Sequence, residues 1–389
     1  MHLVEKYIID KNHSLFKEAE SLCFLSNNIF NYANYIIRQE LFKTGEYLNY
    51  NAIQKQCQGT PDYTALPAKV SQQVLWRLHE SGQAFFAANK EYKQHPDKFK
   101  SAPRIPKYKH KTLGRNVITY TSQALSNSAL KKGLIHLSQT QILLTTHVKE
   151  VSQVRIVPGL YHYRIEIVYF KPVSLERSVT GTIAGIDIGL NNYATLTENQ
   201  PGFKPLIING KPLKSINAYY HKNTASRQFK LQPEIKTSHR LRRRLTHKRN
   251  CKIDNYLHSA SRSIINHRAA NSIETLVIGK NDCGQTGINL GKKTNQNMVS
   301  IPHAKFIEML TYKAQLVGIN VVVVTEEYTS KCSFLDNEPL YKQDSYQSRG
   351  IKRGLFRNRN GTLINADVNG SLNIVRKALP NAFVEGIQG

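Results

Sequence analysis

The chain has 389 residues, of which 40% are hydrophobic, so it can bury substantial cores and is expected to form two or three domains rather than a disordered tail. Lys and Arg number 54 against 27 Asp and Glu, which gives a formal net charge of +27 at pH 7. An excess of this size attracts a polyanion, and nucleic acid is the polyanion that we expect. Charge alone does not separate a ribosomal-type RNA-binding protein from an enzyme that acts on nucleic acid.

The cysteines and the first residues exclude several other classes of protein. The five cysteines are widely separated and include no CxxC pair, so neither a disulfide framework nor a zinc ribbon is expected. The N-terminal residues lack the apolar core of a signal peptide, and no stretch approaches the ~18 apolar residues that span a bilayer. We therefore expect a protein of the prokaryotic cytosol that makes no contact with a membrane.

The first hundred residues have the pattern of a strand followed by helices. Residues 3–9 alternate between apolar and polar like a half-buried strand. Apolar residues then recur at helical spacing from Leu15 onwards, and again from about Leu66 to Lys93. This pattern predicts a small helical domain.

A basic segment punctuated by prolines begins at Lys98 and leads into a different pattern. The residues that follow are rich in β-branched and aromatic side chains, which are typical of strands. The strand-like runs lie at 117–122, 134–146 and 161–170. They predict a β-barrel or sheet module over about 101–175.

From Thr182 onwards the pattern alternates between strands and helices. A strand and a hairpin come first, followed by basic helices, an apolar strand, a helix, a second apolar strand and a final helix over 367–379. This alternation predicts an α/β domain with a mixed sheet.

Two basic segments of this region are candidates for contact with nucleic acid. In the first, cationic side chains recur at helical spacing, namely Arg240, Arg243, His247 and Lys248. A helix of this charge would repel itself, and an RNA or an RNA–DNA duplex would supply the missing negative charge. The second segment, 349–361, offers Arg353 and Arg357, although a solvated basic loop explains that segment equally well.

Two carboxylates stand where hydrolytic chemistry could use them. Asp187 lies in the apolar run TIAGIDIGLNNYATLT at 182–197, and Gly189 leaves room there for a phosphate or a metal. Asp367 opens the final helix, where the helix dipole alone would also favour an acid. Two-metal hydrolysis of a phosphodiester needs about three converging carboxylates, so the pair predicts a third acid.

Three motifs resemble the signatures of one family. GIDIGLNN at 185–192, YTSK at 328–331 and NADVNGSLNI at 365–374 resemble the first, pre-final and final signatures of the TnpB nucleases, transposon-encoded and RNA-guided enzymes ancestral to the type V CRISPR effectors. The resemblance covers essentially the whole chain. It implies an α/β, RNase H-like (RuvC) nuclease domain joined to all-β and all-α modules, with an N-terminal wedge β-barrel interrupted by a helical recognition domain. The expected domains are the first barrel strand at 1–12, the recognition domain at 13–100, the rest of the barrel at 101–180, and the RuvC-like nuclease domain at 181–389 with a basic helical insertion at about 215–270.

The position of the third acid departs from the family pattern. In most members a glutamate ends the strand that here reads IETLVIGKND, yet Gly279 or Lys280 holds that position. The next strand reads VVVVTEEYTSK, and its four valines suit a strand that is buried on both faces. GKKTNQNMVSIPHAKF at 291–306 and SFLD at 333–336 resemble the branch of the family in which the glutamate has moved to this neighbouring strand.

Two glutamates at the end of that strand compete for the role. Successive strand residues face opposite sides, so only one of Glu326 and Glu327 should point towards Asp187. We expect Glu326 to be the third acid, with Glu327 as the second candidate and Asp282 as a distant third.

The resemblance implies an RNA-guided DNA endonuclease that cleaves target DNA next to a short transposon-adjacent motif. Asp187, Glu326 and Asp367 would hold two Mg²⁺ ions for hydrolysis to a 5′-phosphate and a 3′-hydroxyl. The partners would be a guide RNA from the transposon end and double-stranded target DNA, with the protein acting as a monomer. No zinc is expected, because the two CxxC pairs that are usual in the family have no counterpart after Cys332.

The sequence leaves three alternatives. A nuclease-inactive, RNA-guided DNA-binding repressor would bind its target without cutting it. A transposase-like strand-transfer enzyme would use the same acids and two metals, and it would join strands without RNA. A purely structural RNA-binding protein would leave the two aspartates unexplained.

Overall fold

The computed structural model describes residues 1–173, 181–229, 239–270, 272–281, 291–346, 349–352 and 354–383. The chain divides into two compact units, Met1–Pro172 and Val173–Gly389. The finer division into a wedge, a recognition module and a nuclease domain stays a prediction. None of the helices in the described ranges is long and apolar enough to cross a bilayer.

The strands of the first unit form an antiparallel sheet and a separate hairpin. They are β1 (His2–Asp10), β2 (Ile118–Thr121), β3 (Leu134–His136), β4 (Leu143–Thr145), β5 (Gln153–Pro158) and β6 (His162–Phe170). The sheet has the order β1-β6-β5-β2, and β3 pairs with β4. β1 and β6 pair along their whole length, from His2 opposite Phe170 to Asp10 opposite His162. The sheet therefore joins the first and last strands of the unit, while its closure into a barrel stays a prediction.

Helices occupy the long connection between β1 and β2. They are α1 (Phe16–Thr44), α2 (Tyr50–Cys57), α3 (Pro61–Thr64) and α4 (Ala68–Gln94), and a short α5 (Asn127–Lys131) follows β2. Gly45 ends α1 in the left-handed conformation, with its N–H donating to the carbonyl of Leu41. Asn49 caps α2, because its side chain accepts from the N–H of Ala52. The long helices bury one stripe each in a shared core, with Ile29, Ala33 and Ile37 on α1 and Val70, Val74 and Leu78 on α4.

The second unit is built on a mixed five-stranded sheet. Its strands are β7 (Ile183–Asp187), β8 (Asn192–Glu198), β9 (Leu206–Asn209), β10 (Thr275–Lys280) and β11 (Asn320–Thr325). The order is β11-β10-β7-β8-β9, in which β10 runs parallel to β7 and β11 while β8 and β9 are antiparallel. The α/β character predicted for this part of the chain is confirmed.

Helices cover both faces of this sheet. They are α6 (Lys211–Phe229), α7 (His239–Ala270), α8 (Lys292–Ser300), α9 (His303–Gln315) and α10 (Ala366–Ala378). Ile186 and Ile278 face a core that includes residues of α7 and α9. The alternate residues Ile183 and Val277 pack instead against α10. The period of two along each strand therefore places α10, which carries Asp367, on the face opposite α7 and α9.

One expectation for this unit was wrong, and one alternative for its basic segment does not hold. β11 is not buried on both faces, because it is the edge strand with β10 as its one partner in the sheet, and Val323 is 45% exposed. The basic segment 349–361 is not simply a loop, because much of it is paired. It supplies two strands of a three-stranded antiparallel sheet, β12 (Arg349–Lys352), β13 (Leu355–Arg357) and β14 (Leu363–Asn365).

Candidate active site

Asp187 is the last residue of β7, at the carboxyl end of the parallel strands. In open α/β sheets this edge is where ligands bind, since the chain turns away there and leaves a crevice. Helix α10 comes very close at this point, since a Cβ on Gly370 would lie only 2.7 Å from Oδ2 of Asp187. The glycine in the NADVNGSLNI motif therefore lets the helix backbone approach the carboxylate.

Glu326 follows β11 directly and lies beside Gly279 of the neighbouring strand. Its backbone N–H donates to the carbonyl of Lys280 at 3.2 Å, which continues the pairing of β10 and β11 by one residue. A Cβ built on Gly279 would lie 2.9 Å from both Cγ and Oε1 of Glu326. The displaced glutamate thus occupies the space that a side chain at position 279 would need.

The other two candidates for the third acid are placed differently. Glu327 is exposed, and its backbone carbonyl accepts from Nζ of Lys377 at 3.2 Å. Asp282 lies outside the described residues. Of the two adjacent glutamates, the structure brings Glu326 towards Asp187.

Asp367 is held at the start of α10 by two asparagines. Asn365 caps the helix, with its side chain accepting from the N–H groups of Asp367 at 2.9 Å and Val368 at 3.2 Å. Nδ2 of Asn192, the last residue of the GIDIGLNN motif, donates to Oδ2 of Asp367 at 2.6 Å. The first and last motifs are therefore in direct contact. Sequence reasoning did not single out Asn192, although its place in the motif with Asp187 was a usable signal.

Burial acts on both Asp187 and Glu326, and neighbouring charges act on Asp187 as well. Burial, followed by the charges of Glu326 and Asp367, raises the pKa of Asp187 well above its ordinary value. Burial also raises the pKa of Glu326 to about 7. The backbone N–H of Ile188 hydrogen-bonds to both Asp187 and Glu326, and it lowers each pKa in part. Asp187 and Glu326 thus share the amide of Ile188, and the charge of Asp367 also acts on Asp187.

The site offers carboxylate donors to a divalent cation. Within the ranges described, no group of three His, Cys, Asp or Glu side chains is close enough to hold a metal ion. The chemistry of the donors nevertheless fits Mg²⁺, which takes carboxylate oxygens. A cation would relieve the repulsion that raises the pKa of Asp187. The donor types therefore suit the ion, and the two Mg²⁺ ions stay a prediction.

The six residues expected to bind nucleic acid are spread over two segments. Arg243 and Lys248 are exposed on α7, and His247 is half-buried there, with Nε2 3.6 Å from Sγ of Cys251. Arg240 belongs to the first turn of α7, but its side chain and the whole of Arg353 lie outside the described residues. Arg357 is half-buried in β13, opposite Leu363.

Two family models match the chain. Residues 166–282 match OrfB_IS605, described as a probable transposase, and residues 303–374 match the Cas12f1-like TNB domain. The CRISPR-associated endodeoxyribonuclease Cas12f2 of Micrarchaeota archaeon (strain CG1_02_47_40) is 29% identical over 242 residues. That alignment covers 58% of this chain and 42% of the relative, so the chain spans less than half the length of the relative.

Solved structures show weaker likeness. A Cas12f1–sgRNA–target DNA complex is 15% identical with a TM-score of 0.40, covering 97% of this chain and 100% of that one. The mini-RNA-guided endonuclease CRISPR-Cas_phi3 is 10% identical with a TM-score of 0.45, covering 100% of this chain and 93% of that one. Both TM-scores lie below 0.5, so the family assignment rests on the sequence matches.

The sequence matches fall on the motifs that first suggested the family. The probable-transposase model covers Asp187, and the TNB model covers both Glu326 and Asp367. Together with the Cas12f2 relative, they confirm the resemblance of this chain to TnpB-like proteins.

Proposed function

We propose that this protein is an RNA-guided DNA endonuclease that cuts target DNA next to a short transposon-adjacent motif, with Asp187, Glu326 and Asp367 as its catalytic acids. The observation that carries the proposal is the placement of Glu326. It lies over Gly279 and shares the amide of Ile188 with Asp187, so an acid that the family usually carries on β10 is supplied here from β11.

The reaction is hydrolysis of a phosphodiester, in which water adds to phosphorus and the products are a 5′-phosphate and a 3′-hydroxyl. Two Mg²⁺ ions, when bound, would supply a water nucleophile at neutral pH and stabilise the leaving oxygen. Asp187, Glu326 and Asp367 would hold them. Asn192 fixes the rotamer of Asp367, and the N–H of Ile188 stabilises the ionised forms of the other two acids.

The net charge of the chain and the similar Cas12f2 protein both support RNA and DNA as partners. A net charge of +27 suits a protein that holds both RNA and DNA, and α7 carries Arg243 and Lys248 on its exposed surface. We place Arg240, His247, Arg353 and Arg357 in the same role. The similar archaeal protein is named a CRISPR-associated endodeoxyribonuclease, which supports DNA as the substrate. A guide RNA from the transposon end would supply sequence choice by base pairing. We propose that one protomer acts alone and without zinc.

The decisive experiment has two steps. The RNA that copurifies with the protein is sequenced first, and a discrete transposon-end transcript is expected. The purified complex is then given a duplex with a matching target, with and without Mg²⁺. Wild type should cut it, and Asp187→Asn and Glu326→Gln should not, whereas Glu327→Gln should cut normally because that side chain is exposed. Target binding without cleavage by wild type would replace this proposal with an RNA-guided repressor.

A second candidate function is strand transfer, which the description of the matched family as a probable transposase favours. The same acids and two metals would serve that reaction, in which a 3′-hydroxyl rather than water attacks phosphorus. Joined strands formed without RNA would establish it. Strict dependence on RNA, with hydrolysed ends as products, would exclude it.

A further inference from the structure

The YTSK motif at 328–331 has no role in the proposed function, although it follows Glu326 almost directly. It forms a tight turn, in which the N–H and Oγ1 of Thr329 both donate to the carbonyl of Glu326, at 3.3 and 2.9 Å. Tyr328 has a φ of 64°, a left-handed conformation that costs a bulky residue roughly 1–3 kcal/mol. The surrounding structure must therefore hold this turn in place.

Helix α10 holds the turn on both sides of Ser330. Nδ2 of Asn373 donates to the carbonyl of Thr329 at 2.9 Å and to that of Cys332 at 2.7 Å. Asn373, Thr329 and Cys332 are all buried. Ser330 lies between the two residues that Asn373 holds, and it is exposed. A buried contact on either side therefore fixes the backbone that carries the Ser330 hydroxyl.

The Ser330 hydroxyl lies close to Asp187. Its Oγ is 4.0 Å from the point that a Cβ on Gly370 would occupy, and Oδ2 of Asp187 is 2.7 Å from the same point. Both oxygens therefore lie next to Gly370, on the same side of α10. Among the residues that the structure describes, none forms a hydrogen bond with the Ser330 side chain. An unused donor thus stands near the carboxylate at which the proposed function places the reaction.

A neutral donor suits a phosphate at this place better than a charged side chain would. The charges of Glu326 and Asp367 act on Asp187, so the acids repel a phosphate until cations neutralise them. A lysine or an arginine would bind the phosphate but would also compete with the cations for the carboxylates. A hydroxyl donates to an anionic oxygen and carries no charge of its own. The chemistry of Ser330 therefore matches a phosphate oxygen.

We propose that the Ser330 hydroxyl donates a hydrogen bond to a non-bridging oxygen of the phosphate that is cut. The inference deepens the proposed function and rests on it, because Ser330 reaches that phosphate only if the phosphate lies at Asp187. Ser330 would touch the substrate and would be a catalytic residue beside the three acids, with no part in proton transfer or in holding the ions. A donor aimed at charge that develops in the transition state accelerates the chemical step more than it tightens target binding.

Variants of Ser330 in the complex with its copurified RNA test the inference. Ser330→Ala should lower the single-turnover rate of cleavage about ten- to a hundred-fold, the effect of one bond to a charged group. The Kd for target DNA and the Tm should change little. Ser330→Thr keeps the hydroxyl and should retain most of the activity. Ser215→Ala, at an exposed position of α6, is the matched control and should behave like wild type.

Phosphorothioate targets identify the atom that Ser330 contacts. Sulfur replaces one or the other non-bridging oxygen at the cut, in two separate stereoisomers. In wild type, the isomer with sulfur at the oxygen bonded to Ser330 should be cut more slowly than the ordinary target, because sulfur is a weak acceptor. In Ser330→Ala that isomer should lose most of its effect, since both changes remove the same bond. The other isomer should have the same effect in both proteins.

Normal cleavage by Ser330→Ala would overturn the inference and leave the proposed function standing, as would equal effects of both isomers in the two proteins. Ser330→Thr as slow as Ser330→Ala, with a lower Tm in both, would show that the residue only supports the turn. A rise in Tm with Mg²⁺ that is smaller in Ser330→Ala than in wild type would place Ser330 at the ions and also overturn it. No cleavage of the ordinary target by wild type would instead overturn the proposed function, and the inference with it.

Discussion

Glu326 fills the space above Gly279, and the two residues lie on neighbouring parallel strands. A Cβ on Gly279 would come within 2.9 Å of Cγ and Oε1 of Glu326. Real Cβ atoms almost never approach other atoms so closely, so the side chain of Glu326 would have to shift if residue 279 carried a Cβ. Under the proposed function, Gly279 leaves room for the acid that follows β11.

Placing the glutamate at position 279 instead of 326 tests the relationship between these two residues. Gly279→Glu alone should abolish most cleavage, because the new side chain displaces Glu326 and also meets Ile374, whose Cδ1 would be 2.5 Å from the added Cβ. Glu326→Ala alone should abolish cleavage as well. The double variant should regain activity to within about a hundred-fold of wild type, since the acid returns near the same metal position. A double variant no better than either single variant would contradict the relationship.

Gly370 should tolerate no side chain, although helix propensity argues the other way. In a helix interior, Gly→Ala ordinarily stabilises by about 1 kcal/mol. Here the added Cβ would lie 2.7 Å from Oδ2 of Asp187, so the carboxylate has to move. We expect Gly370→Ala to reduce cleavage at least ten-fold, the effect of about 1.4 kcal/mol, without a rise in Tm. A higher Tm together with normal cleavage would show that α10 does not press on Asp187.

Asn192 should act by holding Asp367. Its Nδ2 donates to Oδ2 of Asp367 at 2.6 Å, a bond to a charged group that contributes about 1.5–3 kcal/mol. Asn192→Ala should lower kcat about ten-fold and leave KM for target DNA unchanged, because the acid loses its orientation and the DNA surface does not change. Asn192→Asp should be worse, since it adds a carboxylate beside Asp367. Equal activities for the two variants would show that orientation alone matters.

A second part of α10 anchors the segment in which the family usually carries zinc ligands. Asn369 is fully buried, with Nδ2 donating to the carbonyl of Cys332 and Oδ1 accepting from the N–H of Phe334, both at 2.9 Å. Asn369→Leu leaves the N–H of Phe334 unpaired, at a cost of about 1–3 kcal/mol, and should lower Tm measurably, whereas the carbonyl of Cys332 still accepts from Nδ2 of Asn373 at 2.7 Å. A chelator added to Mg²⁺-free protein should leave Tm unchanged. A large loss of Tm on chelation would instead reveal a structural metal.

The sequence predicted the parts of this structure that depend on local pattern. Alternation marked the strand that became β1, and a short apolar run marked β7. Apolar spacing marked α1, α4 and α10, because a buried face imposes a period on the chain. It also singled out Asp187 and Asp367, because each stands in a recognisable local motif. The valines of β11 were misread because they do not show that the strand lies at the edge of its sheet.

The contacts that assemble the site could not be predicted in the same way. The fit of Glu326 over Gly279 depends on the register of two parallel strands, which no local pattern specifies. The bond from Asn192 to Asp367 joins residues far apart in the chain, and Ser330 comes near Asp187 only because α10 packs against both. Such features follow from packing alone.

The raised pKa values predict how stability and metal binding change with pH. Burial raises the pKa of Glu326 from 4.5 to about 7, and that of Asp187 well above 3.8. The folded protein therefore binds these protons more tightly than the unfolded chain does. Their contribution to stability is present at pH values below the unfolded pKa and is lost as the pH rises through about 7. Mg²⁺ compensates the ionised acids, so its effect on Tm should be small near pH 5 and grow towards about pH 8.

Thermal unfolding with and without Mg²⁺ across this range checks the sign. Without Mg²⁺, the double variant Asp187→Asn, Glu326→Gln should be more stable than wild type at the upper end of the range, since the buried charges are gone, and Mg²⁺ should no longer raise its Tm. Glu327→Gln is the matched control, because Glu327 is exposed, and it should follow wild type. A rise in Tm with Mg²⁺ that is equal at all pH values, or that survives in the double variant, would place the bound ion away from Asp187 and Glu326. The buried pair would then destabilise the second unit and take no part in holding metal.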